Sequence, residues 1–121
     1  MKWLWSRWPE VEEQIHRSGH TLLFLDYDGT LAPIAPSPKQ ATLPPATKSV
    51  LRSLSQSSRV TTVLISGRSL LELRRLVGLP RLTYVGNHGL EMWREGRRAA
   101  VAVQKASPEA IRLIRPRLAK L

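Results

Sequence analysis

The chain has no cysteine among its 121 residues. It therefore carries neither a disulfide scaffold nor a thiolate metal site, and a reducing compartment suits it. The sequence also lacks any run of the ~20 apolar residues that a membrane-spanning helix needs. The chain is 42% hydrophobic and 23% charged, which is typical of one ordinary soluble domain or of part of one. We expect a cytoplasmic protein that does not enter a membrane.

Acidic residues are scarce, with 9 against 19 basic ones, so the formal net charge is +10. Strongly basic chains bind phosphates, nucleic acids and anionic membranes without specificity. Here, however, the basic residues are spread along the chain, and the densest group is only Arg94, Arg97 and Arg98. We interpret them as a solvated surface and expect no specific nucleic-acid partner.

Two aspartates follow an apolar run in the segment TLLFLDYDGTL, residues 21–31. Residues 21–25 show no polar alternation, which predicts a strand buried on both faces, as in a parallel sheet. Residues two apart in an extended chain share a face, so Asp26 and Asp28 should project together before Gly29 turns the backbone. Neighbouring carboxylates are costly without a compensating cation, and Mg²⁺ suits their oxygens. The alternative is an ordinary Asp-Gly turn without function.

A second strand that ends in small polar residues is predicted at VTTVLISGRS, residues 60–69. Ser66 and Gly67, at the start of the following helix, would offer a hydroxyl and free backbone N–H groups to a phosphate. The alternative is a serine that only caps the helix. Arg68 either holds a phosphate or pairs with an acid such as Glu72, and the sequence leaves both roles open.

Amphipathic helices are predicted by apolar residues three and four apart at residues 9–18, 46–54 and 69–78. The inward face of the second consists of Val50, Leu51 and Leu54. The proline-rich residues 32–45 predict an ordered loop over the site, because proline is excluded from helix interiors and central strands. A third strand is predicted at residues 82–85, followed by the segment GNHGLE. A hairpin with strands at residues 90–93 and 99–104 comes next, and then a helix from Pro108 that Pro116 interrupts.

The segment DYDGTLAPI resembles the first motif of the haloacid-dehalogenase superfamily, and its continuation is similar to the trehalose-6-phosphate phosphatase branch. Ser66 matches the second motif of the superfamily, and GNHGLE is similar to a segment near the substrate mouth of that branch. The resemblance implies a nucleophilic Asp26, a general acid/base Asp28 and Mg²⁺ bound by these two residues. It also implies that the substrate or its phosphate contacts Gly29, Thr30, Ser66, Gly67, Arg68, Asn87, His88 and Glu91.

The fold implied is an α/β haloacid-dehalogenase-type Rossmannoid core, a parallel sheet with flanking helices that is truncated at the start of an α/β cap. Residues 1–104 would form the N-terminal part of the core, and residues 105–121 would begin the cap. The lysine and acidic motifs of the family do not occur in the chain. We therefore expect an incomplete copy with exposed apolar sheet surface and little turnover alone.

The activity implied by the resemblance is Mg²⁺-dependent hydrolysis of trehalose 6-phosphate to trehalose and phosphate, a step of trehalose biosynthesis. The partner would be a small-molecule sugar phosphate. One alternative is another sugar phosphatase of the same superfamily, acting for example on sucrose phosphate or glucosylglycerol phosphate. The other is a non-catalytic remnant whose basic surface binds anions or a partner protein.

Overall fold

The computed structural model describes residues 4–99, in which helices and strands alternate as far as the third strand and a hairpin follows. The α-helices are α1 (Trp8–Arg17), α2 (Pro45–Gln56) and α3 (Leu70–Val77), and the strands are β1 (Thr21–Asp26), β2 (Val60–Ile65), β3 (Thr83–Gly86), β4 (Glu91–Arg94) and β5 (Arg97–Ala99). Short 3₁₀ segments lie at Leu4–Arg7, Pro38–Gln40 and Asn87–Gly89. The predicted α/β class is therefore confirmed. No helix in this part of the chain is long and apolar enough to span a membrane.

The strands form one sheet in the order β1-β2-β3-β4-β5. The first three are parallel, as predicted, and the hairpin adds β4 and β5 as antiparallel strands, so the sheet is mixed. The hairpin turn is tighter than predicted, because Glu95 and Gly96 both have positive φ and form a two-residue turn. The second hairpin strand consequently begins at Arg97, and predicted strand residues 100–104 lie outside the described residues, as does the predicted last helix.

The core lies on one face of the sheet, beneath α2 and α3. Its fully buried members include Leu51 of α2, Leu73 and Val77 of α3, and Leu64 and Tyr84 of the strands. On α3 the buried side chains of Leu70, Leu73 and Val77 lie three or four residues apart, as the sequence predicts.

The ends of α3 are defined by caps. The Ser69 hydroxyl accepts a hydrogen bond from the Glu72 N–H at 3.3 Å, and Gly78 ends the helix in the left-handed conformation.

The prediction that Val50 lies on the inward face of α2 is wrong. Val50 is exposed, because the face of α2 that meets the sheet is centred on Leu51.

The prediction that β1 is buried on both faces is wrong. Its residues alternate between half-buried and exposed, and Leu22 and Phe24 are 62% and 59% exposed. The reason is that α2 and α3 pack on the same side of the sheet, and no residue of α1 is buried. The expectation of exposed apolar sheet surface is confirmed at these two residues.

Candidate active site

The polar segments that follow β1, β2 and β3 meet at one edge of the sheet. Asp26, the last residue of β1, is in register with Ile65 of β2, and Ile65 is in register with Val85 of β3. Because the strands are parallel, their carboxyl ends bring residues 27–31, 66–69 and 87–91 to the same side. This edge is where open α/β sheets bind ligands.

The two aspartates lie on the exposed side of the β1 end. Tyr27 between them is completely buried, and its hydroxyl donates to the Ala41 carbonyl at 3.0 Å. Asp26 and Asp28 are both exposed, in agreement with the predicted alternation. Within residues 4–99 the carboxylate of Asp26 has no hydrogen-bond or ion-pair partner. Asp26 is therefore available to an incoming group.

Asp28 is held by Arg68 through a two-pronged ion pair. The Arg68 Nε–H donates to one carboxylate oxygen at 2.9 Å, and Nη2 donates to the other at 2.7 Å. The Ser66 hydroxyl lies 3.5 Å from the same carboxylate. The hydrogen bond from Arg68 is the main reason that the pKa of Asp28 lies below its usual range, and burial opposes it only in part. The carboxylate is consequently kept in its charged form.

Arg68 itself is almost enclosed, with 7% of its side chain exposed. Its Nη1 donates to Glu72 at 2.5 Å, its Nη2 also reaches the Pro38 carbonyl at 2.8 Å, and the guanidinium carbon lies 5.4 Å from the centre of the Tyr27 ring. The contacts with Asp28 and Glu72 raise the pKa of Arg68, and the hydrogen bond to Asp28 is the largest cause. Of the two roles left open by the sequence, pairing with Glu72 is therefore observed.

Ser66 and Gly67 form the start of the loop before α3. Ser66 is buried, and its hydroxyl accepts the Arg68 backbone N–H at 3.1 Å. Gly67 lies under the ring of His88, since a Cβ at position 67 would stand 2.6 Å from the His88 Cε1 atom. A residue with a side chain at position 67 would thus displace His88 from the site.

The loop after β3 is hydrogen-bonded to the loop before α3 and has an unusual backbone conformation. Asn87 and His88 have φ values of 50° and 55°, in the left-handed region. The Asn87 N–H donates to the Arg68 carbonyl at 2.6 Å, and the His88 N–H lies 3.4 Å from the Ser66 carbonyl. Consecutive non-glycine residues in this region cost about 1–3 kcal/mol each and persist where the surroundings enforce them, often at functional sites.

Glu91 contacts the start of α3. One carboxylate oxygen accepts the Leu70 N–H at 3.1 Å, and the other lies 3.4 Å from Arg98. A negative side chain here satisfies a free N–H of the first helical turn and favours the helix dipole. One backbone N–H group at the start of α3 is therefore already occupied.

A cavity of about 650 Å³ opens beside Asp28 and Arg68. The proline-rich segment forms one wall through Ile34, Ala35, Ser37 and Pro38, and the opposite side is lined by Gly67, Ser69, Glu72 and His88. The predicted position of the proline-rich loop beside the site is therefore observed. Of the predicted site residues, Asp28, Gly67, Arg68 and His88 line this cavity, while Asp26, Gly29, Thr30, Ser66, Asn87 and Glu91 do not.

The contact of Arg68 with the Pro38 carbonyl was not predicted. A backbone acceptor in an irregular loop leaves no signal in the sequence. Glu72, in contrast, stands four residues after Arg68, and this spacing alone indicates a pair at a helix start.

Within residues 4–99, no three side chains of Asp, Glu, His or Cys are grouped so as to hold a metal ion. The free carboxylate of Asp26 and nearby backbone carbonyls are nevertheless hard oxygen donors. Mg²⁺ commonly binds proteins through one or two carboxylates and completes its shell with water and substrate phosphate. The donor set therefore fits a magnesium ion that is shared with a phosphate ligand.

Solved structures with the same arrangement define the class of this fold. Aspergillus fumigatus trehalose-6-phosphate phosphatase superposes with a TM-score of 0.75 at 23% identity, covering 93% of this chain and 43% of that one. A haloacid dehalogenase-like hydrolase from B. subtilis superposes with a TM-score of 0.57 at 17% identity, covering 82% of this chain and 33% of that one. The fold is therefore that of the haloacid-dehalogenase-type phosphatases.

The family model for trehalose-phosphatase matches residues 24–113, and the chain belongs to this family. A rice protein named Probable trehalose-phosphate phosphatase 4 is 36% identical over 87 residues, which are 72% of this chain and 23% of the relative. The trehalose-phosphate phosphatase of Mycobacterium tuberculosis H37Rv is 39% identical over 70 residues, which are 58% of this chain and 17% of the relative. The resemblance found in the motifs is thus confirmed, and the chain spans about a fifth of the length of these curated relatives.

Proposed function

We propose that this chain supplies the reacting carboxylates of a phosphatase that converts trehalose 6-phosphate to trehalose and phosphate. The observation that carries the proposal is the carboxylate of Asp26 at the end of β1, which is exposed and has no partner within residues 4–99. It lies two residues before Asp28, which is paired with Arg68. An unpaired carboxylate at the ligand-binding edge of a parallel sheet is suited to attack phosphorus, because no hydrogen bond or ion pair must be broken first. Membership of the trehalose-phosphatase family supports this substrate class.

The reaction would proceed in two displacements. An Asp26 oxygen attacks phosphorus and the bond from phosphorus to the sugar oxygen breaks. Because Arg68 keeps the Asp28 carboxylate charged before substrate binds, Asp28 first takes up a proton from solvent and then gives it to the departing oxygen. Water then attacks the aspartyl-phosphate, Asp28 takes a proton from that water, and the bond from Asp26 to phosphorus breaks to release phosphate. Dividing the hydrolysis in this way replaces one difficult step by two easier ones.

The cofactor we propose is Mg²⁺, held by the Asp26 carboxylate and the backbone carbonyl of Asp28. When bound, the ion would neutralise the charge between the carboxylate and the phosphate. The Asp28 side chain would not ligate it directly, because both of its oxygens accept hydrogen bonds from Arg68.

We propose that Gly29, Thr30, Ser66 and Gly67 contact the phosphate, because they follow β1 and β2 at the edge of the sheet where the two carboxylates lie. The N–H groups of Thr30 and Gly67 and the two hydroxyls would donate to it, since the N–H groups of Gly29 and Ser66 already donate to backbone carbonyls. Asn87 and His88 would contact the sugar, because they follow β3 at the same edge and His88 lines the cavity. Glu91 would act through α3 by holding the Leu70 N–H. The partner is a small sugar phosphate in the cytoplasm, and the basic surface would remain solvated.

The proposal is tested by the fate of the phosphoryl group under single-turnover conditions with trehalose 6-phosphate and Mg²⁺. We expect an acid-quenched protein that carries one added phosphoryl group by intact mass, followed by phosphate release in a malachite-green assay. Asp26→Asn should remove the adduct and lower release at least about a thousandfold, because a nucleophile is lost. Glu12→Gln, which removes the same charge from the exposed side of α1, is the matched control.

Two outcomes would contradict the proposal. An adduct that persists in Asp26→Asn would place the nucleophile elsewhere. Phosphate binding that survives Asp26→Asn and weakens evenly with added salt would indicate the basic surface alone. Parallel assays with sucrose phosphate and glucosylglycerol phosphate would identify a different sugar if either reacts faster.

A further inference from the structure

We propose that Glu72 is a positioning residue, which holds Arg68 so that its guanidinium fixes the Asp28 carboxylate and the Pro38 carbonyl, and that Arg68 does not bind the substrate phosphate. This inference rests on the proposed function, because it assigns roles within the same site. It goes beyond the motif resemblance, which implies a phosphate contact for Arg68 and no role for Glu72.

The first argument is the number of donors that Arg68 has left. A guanidinium carries five N–H groups. Four of them are used in the contacts of Arg68 with Asp28, Glu72 and the Pro38 carbonyl. Bidentate binding of a phosphate needs two adjacent free N–H groups, and Arg68 has only one N–H group left. Direct phosphate binding would therefore require Asp28 to leave.

The second argument is charge. The Arg68 side chain is 7% exposed and faces two carboxylates, those of Asp28 and Glu72. One positive charge between two negative ones leaves no net attraction for a phosphate dianion. The guanidinium is thus neutralised by the protein before any substrate arrives, as expected of a group that orients another side chain.

The third argument is that Arg68 joins three separate parts of the chain. Asp28 follows β1, Pro38 belongs to the proline-rich segment, and Glu72 lies in the first turn of α3. The planar fork of arginine has a fixed geometry, so the position of one partner restricts the others. Glu72 belongs to α3, which is anchored in the core by the buried side chains of Leu70 and Leu73. The backbone of Glu72 is therefore fixed, and its carboxylate can hold Arg68 in position.

The test follows the Arg68 Nε–H signal by NMR in the ¹⁵N-labelled chain, with Arg68→Lys to assign it. We expect the Nε–H proton of the native chain to exchange slowly with water, and Glu72→Gln to accelerate the exchange about tenfold or more, because a charge-assisted hydrogen bond is weakened. Glu13→Gln is the matched control, since Glu13 forms an exposed ion pair with Arg17 at the same four-residue spacing. Both glutamates are substantially exposed, so neither variant threatens the fold.

A titration with inorganic phosphate provides the second readout. We expect the backbone amides of Thr30 and Gly67 to shift while the Arg68 Nε–H does not. An Arg68 signal that shifts together with these amides would overturn the inference, as would exchange unchanged by Glu72→Gln. If no amide shifts, the proposed phosphate site fails, and the exchange experiment still decides the role of Glu72.

Discussion

At the scale of single residues, the close approach of Gly67 to His88 offers a direct test of what holds the imidazole in the site. In Gly67→Ala the new methyl would stand 2.6 Å from the His88 Cε1 atom. Because the His88 side chain is exposed, we expect it to rotate away at a cost in unfolding free energy below about 1 kcal/mol. The His88 ring signals in an NMR spectrum should shift, and Gly19→Ala should leave them unchanged because nothing lies within 4 Å of a Cβ there. Unaltered His88 signals in Gly67→Ala would show that the ring is not held against Gly67.

Single residues also show which features of the site a local sequence pattern can predict and which it cannot. That Asp26 and Asp28 share one face could be predicted, because alternation along an extended chain is a local property. The ion pair between Arg68 and Asp28 could not, because its partners are 40 residues apart and meet only through the register of β1 with β2. The hydrogen bond from Arg68 to the Pro38 carbonyl also depends on the conformation of a loop, which no periodicity in the sequence predicts.

At the scale of elements, the connection between α3 and β3 is fastened by one buried side chain. The Tyr84 hydroxyl donates to the Leu79 carbonyl at 2.6 Å and accepts the Leu79 N–H at 3.1 Å. Tyr84→Phe leaves the Leu79 N–H without this partner and leaves the Leu79 carbonyl with only the long hydrogen bond from the Leu82 N–H at 3.4 Å. We expect a loss of about 1–3 kcal/mol in unfolding free energy, measured by urea denaturation. Tyr27→Phe is the matched comparison. Its loss should be smaller, because within residues 4–99 the Tyr27 hydroxyl makes one hydrogen bond, to the Ala41 carbonyl. Equal stability of Tyr84→Phe and the native chain would contradict this account.

The raised pKa of Tyr84 leads to a prediction of how stability depends on pH. Burial raises the pKa of Tyr84, so the folded state favours the neutral phenol. Its contribution is therefore complete below the unfolded pKa of about 10 and is lost as the pH rises above that value. We expect Tyr84→Phe to lose less stability than the native chain between neutral and strongly alkaline pH. An identical alkaline loss in both proteins would assign the effect to other groups.

At the scale of the whole molecule, the sheet is covered unevenly. The sequence predicts three parallel strands correctly, because an apolar run followed by turn residues marks each of them. Which face of β1 is covered could not be predicted, since an apolar run is equally compatible with burial on one face or two. The exposure of Leu22 and Phe24 follows from the placement of both α2 and α3 on the other side, which is a property of the assembled fold.

This uneven cover predicts opposite results for two apolar side chains of neighbouring strands. Leu64 is completely buried, so Leu64→Ala should cost about 2–5 kcal/mol of unfolding free energy. Phe24 is 59% exposed, so Phe24→Thr should change that free energy by only about 0.5 kcal/mol. Because contiguous apolar surface on an edge strand promotes association, Phe24→Thr should also lower self-association in sedimentation velocity experiments. A loss of stability in Phe24→Thr as large as that in Leu64→Ala would mean that this face of β1 is covered in solution.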